Sequence, residues 1–201
     1  MHFRRSLILA MLLAGTAVGQ TQPSATDDPS RVKKAATDFL LSLAETDLKH
    51  AKALYAGSDE NFKLVAGMHD MLQATQKLKL AAEERWPKQF DPAGPSKLDA
   101  DGLVRKMRTE TLAIDGDAAQ FSGGLTLRRI DGQWKVVDLI ATRDGKLTMA
   151  NMLPILTQAA TETADEVRKG AYPTFDSAQV ALGNKINKAM QSAATTQPMK
   201  K

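Results

Sequence analysis

Cysteine is absent from the 201-residue chain. Disulfide staples, thiol nucleophiles and cysteine-based metal sites are thereby excluded, and stability has to come from packing. Aromatic residues are scarce, with 2 Trp, 2 Tyr and 6 Phe. The core must therefore be built mainly from Leu, Ala, Val, Ile and Met. Neither sign of charge dominates. The 27 Lys and Arg are interspersed with 23 Asp and Glu and form no basic stripe, which gives no support to nucleic-acid binding. Long apolar runs are missing everywhere except at the N-terminus.

That one apolar run has the form of an export signal. Arg4 and Arg5 precede Ser6 to Leu13, and small residues follow through Ala17-Val18-Gly19, which fits the small-x-small cleavage rule. A membrane span needs about 20 apolar residues, so the length favours cleavage after Gly19 over an uncleaved anchor. The expectation is an exported protein, periplasmic or secreted. Removing residues 1–19 of the 201 leaves 182 residues with a net charge of +2, because the leader carries two of the 27 basic residues and no acidic ones. This is enough chain for one domain with a real core.

Residues 20–28 are polar and aperiodic and read as a disordered tether. A single domain is expected over 29–192, with a flexible tail over 193–201. Asp28-Pro29 looks like a cap and first-turn proline for a helix with apolar residues at Val32, Ala36, Phe39 and Leu43. Asp47 is expected to cap a short second helix that ends at Gly57, and Ser58 to cap a long third one that stops at Pro87. Residues 87–101 read as a loop. Beyond them the apolar period shifts toward 2. Asp115-Gly116 and Asp131-Gly132 are two-residue hairpin signals. They delimit strands at about 103–114, 117–130 and 133–140, with a bulge at Ser122-Gly123-Gly124. Two closing helices are expected, one over about 149–169 with Pro154 near its first turn, the other after a Thr174 cap. The fold class is α+β: N-terminal helices packed on a curved antiparallel sheet of three to four strands, followed by two C-terminal helices.

The hairpins also fix a register. Arg129 should face Trp134, Leu127 should face Val136, and Leu125 should face Asp138. Across the other turn, Leu112 should face Ala119 and Glu110 should face Phe121. One sheet face then carries Leu112, Ile114, Ala119, Phe121, Leu125, Leu127, Trp134, Val136 and Ile140. The same parity places Arg108, Glu110, Arg129 and Asp138 on that apolar face. Arg129 beside Trp134 suits a cation–π contact. A carboxylate at Asp138 must be paired, or shift its pKa upward. It sits either in a pocket between sheet and helices or in an ion pair, with Arg108 or at a helix end. The opposite face, with Thr126, Arg128, Ile130, Gln133, Lys135, Val137 and Leu139, is half apolar. It suits pairing of two copies, or burial under the C-terminal helices.

Three segments carry a family resemblance: Ala44-Glu45-Thr46-Asp47 after the first helix, Ile114-Asp115-Gly116-Asp117-Ala118-Ala119, and Ile130-Asp131-Gly132-Gln133-Trp134-Lys135-Val136-Val137. In them the chain resembles the nuclear transport factor two-like superfamily, which includes ketosteroid isomerases and polyketide cyclases. The likeness covers about residues 30–141 and is closest to exported bacterial members. It implies a cone-shaped pocket between curved sheet and helices, used for isomerisation, dehydration, binding or dimerisation. No catalytic role of that family maps onto a residue here. Tyr55 and Tyr172 are the only tyrosines, and neither lies in a matching segment.

Other chemistries have less support. His50, His69 and Asp70 match part of a phosphohydrolase metal pattern, but that pattern belongs to an all-helical fold and two imidazoles fall short of the usual three or four ligands. No Gly-x-Ser-x-Gly and no phosphate-binding glycine loop occurs, so no cofactor is implied. The reading is a non-enzymatic exported domain that binds a small apolar ligand or a protein partner. The alternatives are an isomerase or dehydratase with Asp138 or Glu110 as general base, or a structural module that forms a homodimer. The pocket candidates are Asp138, Glu110, Arg108, Trp134 and Tyr55.

Overall fold

Asp28 and Pro29 open the first ordered helix, α1 (Asp28–Ser42), whose apolar spacing delivers Val32, Ala36, Phe39 and Leu43 to one buried face. The computed structural model describes residues 28–89, 100–140 and 142–196, so the expected export leader, the expected tether up to residue 27, most of the expected 87–101 loop and the last five residues lie outside the described residues. A turn leads to α2 (Lys49–Ala53) and then to the long α3 (Asp59–Arg85), whose N-cap Ser58 accepts a hydrogen bond from the Asn61 amide at 3.1 Å. After α4 (Ala100–Thr109), four strands follow: β1 (Leu112–Asp115), β2 (Ala118–Phe121), β3 (Thr126–Ile130) and β4 (Gln133–Asp138). Two helices close the chain, α5 (Arg143–Arg168) and α6 (Phe175–Thr196). The strands form one curved antiparallel sheet in the order β1-β2-β3-β4. The α+β class is as expected.

Several boundaries differ from the sequence reading. The first expected strand is mostly helix, with Met107 buried against the core. Arg108 and Glu110 are thereby removed from the sheet. The middle strand is two strands. Gly124, at φ 94°, reverses the chain between Phe121 and Leu125. The second helix ends at Ala53 rather than Gly57, since residues 54–56 leave it to pair in parallel with β4. The Ala56 amide donates to the Val136 carbonyl at 2.8 Å, and the Val136 amide to Leu54 at 3.0 Å. That pairing covers the open edge of β4. The first closing helix begins six residues early, at Arg143, so Pro154 lies in its interior. At the other end α6 extends to Thr196.

Register follows turn chemistry. Asp131 and Gly132 both have positive φ, 50° and 76°, as a type I′ turn demands. Arg129 therefore faces Trp134 and Leu127 faces Val136, as read. An irregularity between Thr126 and Leu127 then brings Thr126, not Leu125, opposite Asp138. At the first hairpin the loop residues are Gly116 and Asp117. Only Gly116 has positive φ, 55°, which suits the first central position of a II′ turn. Leu112 consequently faces Phe121 instead of Ala119. The slip is two residues, so facial parity survives. Ala119, Phe121, Leu125, Leu127, Trp134 and Val136 are all buried on one face.

Two cores result. The larger joins α1, α2, the first half of α3 and the inner sheet face, around Phe39, Val65, Phe121, Leu127 and Val136. The smaller joins the end of α3 to α5 and α6 through Ala81, Ala164, Val167 and Ala178. Thus α5 packs along α3, α6 packs mainly on α5 with Phe175 reaching Trp86 just past α3, and neither contributes a side chain to the larger core. Gly67 on α3 touches Leu153 on α5, and farther along Arg85 approaches Gly170. The two long helices therefore run side by side in the same direction.

Candidate functional site

Of the five candidate residues, the structure brings Tyr55 and Asp138 into one neighbourhood and disperses the other three. Asp138 ends β4, and its carboxylate forms an ion pair with the Lys146 ammonium in the first turn of α5. It also accepts from the Ile140 amide at 3.3 Å. The paired arrangement is the one realised, with the partner on α5 instead of Arg108. Tyr55 lies 6 % exposed between Phe39 and Phe62, with ring centroids 6.3 and 5.2 Å away. Burial, and then the Asp138 and Asp59 carboxylates, push its hydroxyl up to about 12. A neutral phenol is cheaper than a phenolate there.

Glu110 and Arg108 serve the α4–β1 corner. Glu110 accepts from the Ser122 hydroxyl and from the Gly123 amide at 3.1 Å, which holds the β2–β3 reversal. The Arg108 carbonyl accepts from Lys33 Nζ at 2.5 Å, and that ammonium also reaches the Glu110 carbonyl at 3.1 Å. Lys33 thus satisfies carbonyls at the end of α4, where the helix has no internal donors. Trp134 is buried in the larger core, under the Arg129 guanidinium at 5.0 Å from its ring. The cation–π pair is formed, and Arg129 Nε also faces Asp117 at 3.3 Å.

The two described histidines, His50 and His69, both bond around the α1–α2 turn. His69 is 8 % exposed, and its ring nitrogens lie 3.1 Å from the Glu45 carbonyl and 3.1 Å from Asp70. Gln73 donates to the same Glu45 carbonyl at 2.9 Å, so α3 pins the α1–α2 turn. His50 Nδ1 meets the Glu45 carboxylate at 2.7 Å. Among the described residues no group of three His, Asp or Glu is placed to hold a metal ion.

The inner face of the sheet is closed by side chains: Phe39, Val65, Phe121, Leu127 and Val136 are each 2 % exposed or less. Concave surface lies elsewhere. A groove of about 640 Å³ opens between the N-terminal halves of α3 and α5. Leu64, Gly67 and Leu153 line its floor, and Leu147, Ala150 and Pro154 form one wall. Its charged rim is Glu60 and Lys63 from α3, and Arg143 and Lys146 from α5. Leu147 is 60 % exposed, although it is a large apolar side chain beside an apolar floor. A second groove, about 500 Å³, crosses the outer sheet face past Arg128, Ile130, Val137 and Asp138. The Asp138–Lys146 pair stands between the two.

The α3–α5 groove was not legible in the sequence. Its halves are distant in the chain, and the start of α5 is concealed by Pro154, which imitates a first-turn proline. A Thr142-x-x-Gly145 cap was the available signal: the Gly145 amide donates to Thr142 Oγ1 at 3.1 Å. What fold and site define is an α+β domain with an apolar, cation-rimmed groove and paired candidate carboxylates. No family model matches the chain, and neither a curated protein nor a solved structure matches it. Among the described residues no helix is long and apolar enough to cross a membrane.

Proposed function

We propose that this is a non-enzymatic binding domain of an exported protein, and that its ligand sits in the groove between α3 and α5. The observation that carries the reading is the pairing of exposed Leu147 with the apolar floor of Leu64 and Leu153 in a concavity of about 640 Å³. That volume falls within the range of small-molecule sites, roughly 300–1,000 Å³. An enzymatic reading has less to stand on. Glu110 is committed to the β2–β3 reversal and Asp138 to Lys146. The order of helices and hairpins keeps kinship with the nuclear transport factor two-like superfamily as part of the proposal, with the ligand site moved off the inner sheet face. Pairing of copies through the outer face is a second reading, supported by half-buried Ile130 and Val137 beside the outer groove.

The test is binding of an uncharged, solvent-sensitive apolar dye to the purified protein. Saturable binding at one site is expected, and Leu147→Glu should abolish it while leaving the circular dichroism unchanged. Dye binding that survives Leu147→Glu, or no binding at all, contradicts the proposed site.

A further inference from the structure

We infer that the ligand of the α3–α5 groove is an anionic amphiphile, a small molecule with one apolar chain and a carboxylate or phosphate head. This rests on the binding reading above and adds the charge of the ligand. The groove is apolar along its floor and cationic at its mouth. Lys63 projects from one helix and Arg143 from the other, and neither has an ion-pair or hydrogen-bond partner among the described residues. Lys146, a third cation on the rim, is held by Asp138. Glu60 is the one carboxylate in the lining. The free cations therefore outnumber the free carboxylate two to one.

The helix directions add to this bias. Because α3 and α5 run in the same direction, both N-termini lie at the mouth of the groove, each bringing roughly half a positive charge. The capping side chains of Ser58 and Thr142 each satisfy one amide, and the first-turn carboxylates Asp59, Glu60 and Asp144 offset part of the helix-end field, so the bias rests mainly on Lys63 and Arg143. An apolar chain would lie along Leu64, Leu147 and Leu153, and its head would meet Lys63 and Arg143. A guanidinium suits both oxyanions, since its planar fork donates two parallel hydrogen bonds. A cationic head would face Lys63 and Arg143 and lose affinity by the same Coulomb argument.

The experiment is calorimetric titration of the purified protein with four chains of equal length, each below its micelle concentration: dodecanoate, dodecyl phosphate, dodecanol and dodecyltrimethylammonium. Dodecanoate or dodecyl phosphate should bind about tenfold or more tighter than dodecanol, a gain of about three- to fivefold per exposed cation. Which of the two anions binds better identifies the head. The double variant Lys63→Gln/Arg143→Gln should bring the anionic chain down to the dodecanol affinity, with dodecanol itself unaffected. Both positions are exposed, so the fold is expected to tolerate the change. Raising the salt concentration should weaken the anionic chain alone. If dodecanol or the cationic chain binds as tightly as the anions, the charge inference is overturned and the groove reading stands. If no chain binds, the groove reading itself fails.

Discussion

The two cores of this molecule are made differently. On the sheet side, large side chains fill the space between helices and strands: Phe39, Phe121, Leu43 and Leu127 are nearly or fully inaccessible. On the other side the fully covered residues are mostly small, with Ala81, Ala164 and Ala178 grouped around Val167. Alanine lets helices approach closely, but it buries little apolar area. At about 25 cal/mol per Å² the second core gains much less from water exclusion. The last helix shows this most plainly, since Ala178 is its one buried residue among those described. Stability therefore concentrates around the sheet, while α5, held to α3, and α6, held mainly to α5, form a softer layer. The proposed ligand groove lies where the start of α5 meets the first half of α3, at the opposite end of that helix pair from the Ala81–Val167 cluster.

Substitutions in the two cores should separate them most clearly. Phe39→Ala is expected to cost about 3–5 kcal/mol by denaturant titration, whereas Val167→Ala should cost about 2 kcal/mol. Equal costs would remove the distinction. Gly57→Ala is a sharper probe of the sheet side. A methyl group there overlaps the Val137 carbonyl oxygen and the Tyr55 hydroxyl, and one of these is backbone that cannot rotate away. A loss of about 1–3 kcal/mol is expected, together with faster hydrogen exchange at the Ala56 and Val136 amides that form the edge pairing.

Alkali should act on the sheet side as well. Tyr55 holds its proton up to about 12 in the fold, against about 10 in an unfolded chain. Between those values the native state binds the extra proton, so stability falls as pH rises from 10 to 12. Tyr55→Phe should flatten that fall, and a stability curve of unchanged slope would refute the assignment.

Acid should act on the helical layer. Glu166 accepts from the Tyr172 hydroxyl and from Lys185 at 2.9 Å, and these contacts lower its pKa. Glu162 is lowered by Gln158 and the same lysine. Their contribution is present above the ordinary glutamate value, about 4.3, and is lost as pH falls through the lower folded values. Because the pairs are partly exposed, Lys185→Gln should cost about 1 kcal/mol or less. The loss should appear as faster exchange in α6, not in β3.

Much of the fold was legible because its signals were local. Ser58 and Thr174 cap helices where their side chains can accept an amide. Asp131-Gly132 fixed the β3–β4 register because both residues tolerate positive φ. The inner face survived a two-residue slip at Gly116 because the slip preserved parity. Failures came where one pattern served two structures. The 103–114 segment reads as a strand if alternation is weighed, yet its first half is helix, which buries Met107. Pro154 imitated a helix start, which hid Lys146 and with it the partner of Asp138. Candidate carboxylates could be named from sequence, but their partners depend on elements that meet only in three dimensions.

The most direct test of the account is amide chemical-shift mapping of the isotope-labelled protein during titration with dodecanoate. The account predicts perturbations centred on residues 60–67 of α3 and 143–154 of α5, with the inner-face amides of β2, β3 and β4 unmoved. Perturbations centred on Tyr55, Leu127 and Val136 instead would place the ligand beneath the sheet and contradict it.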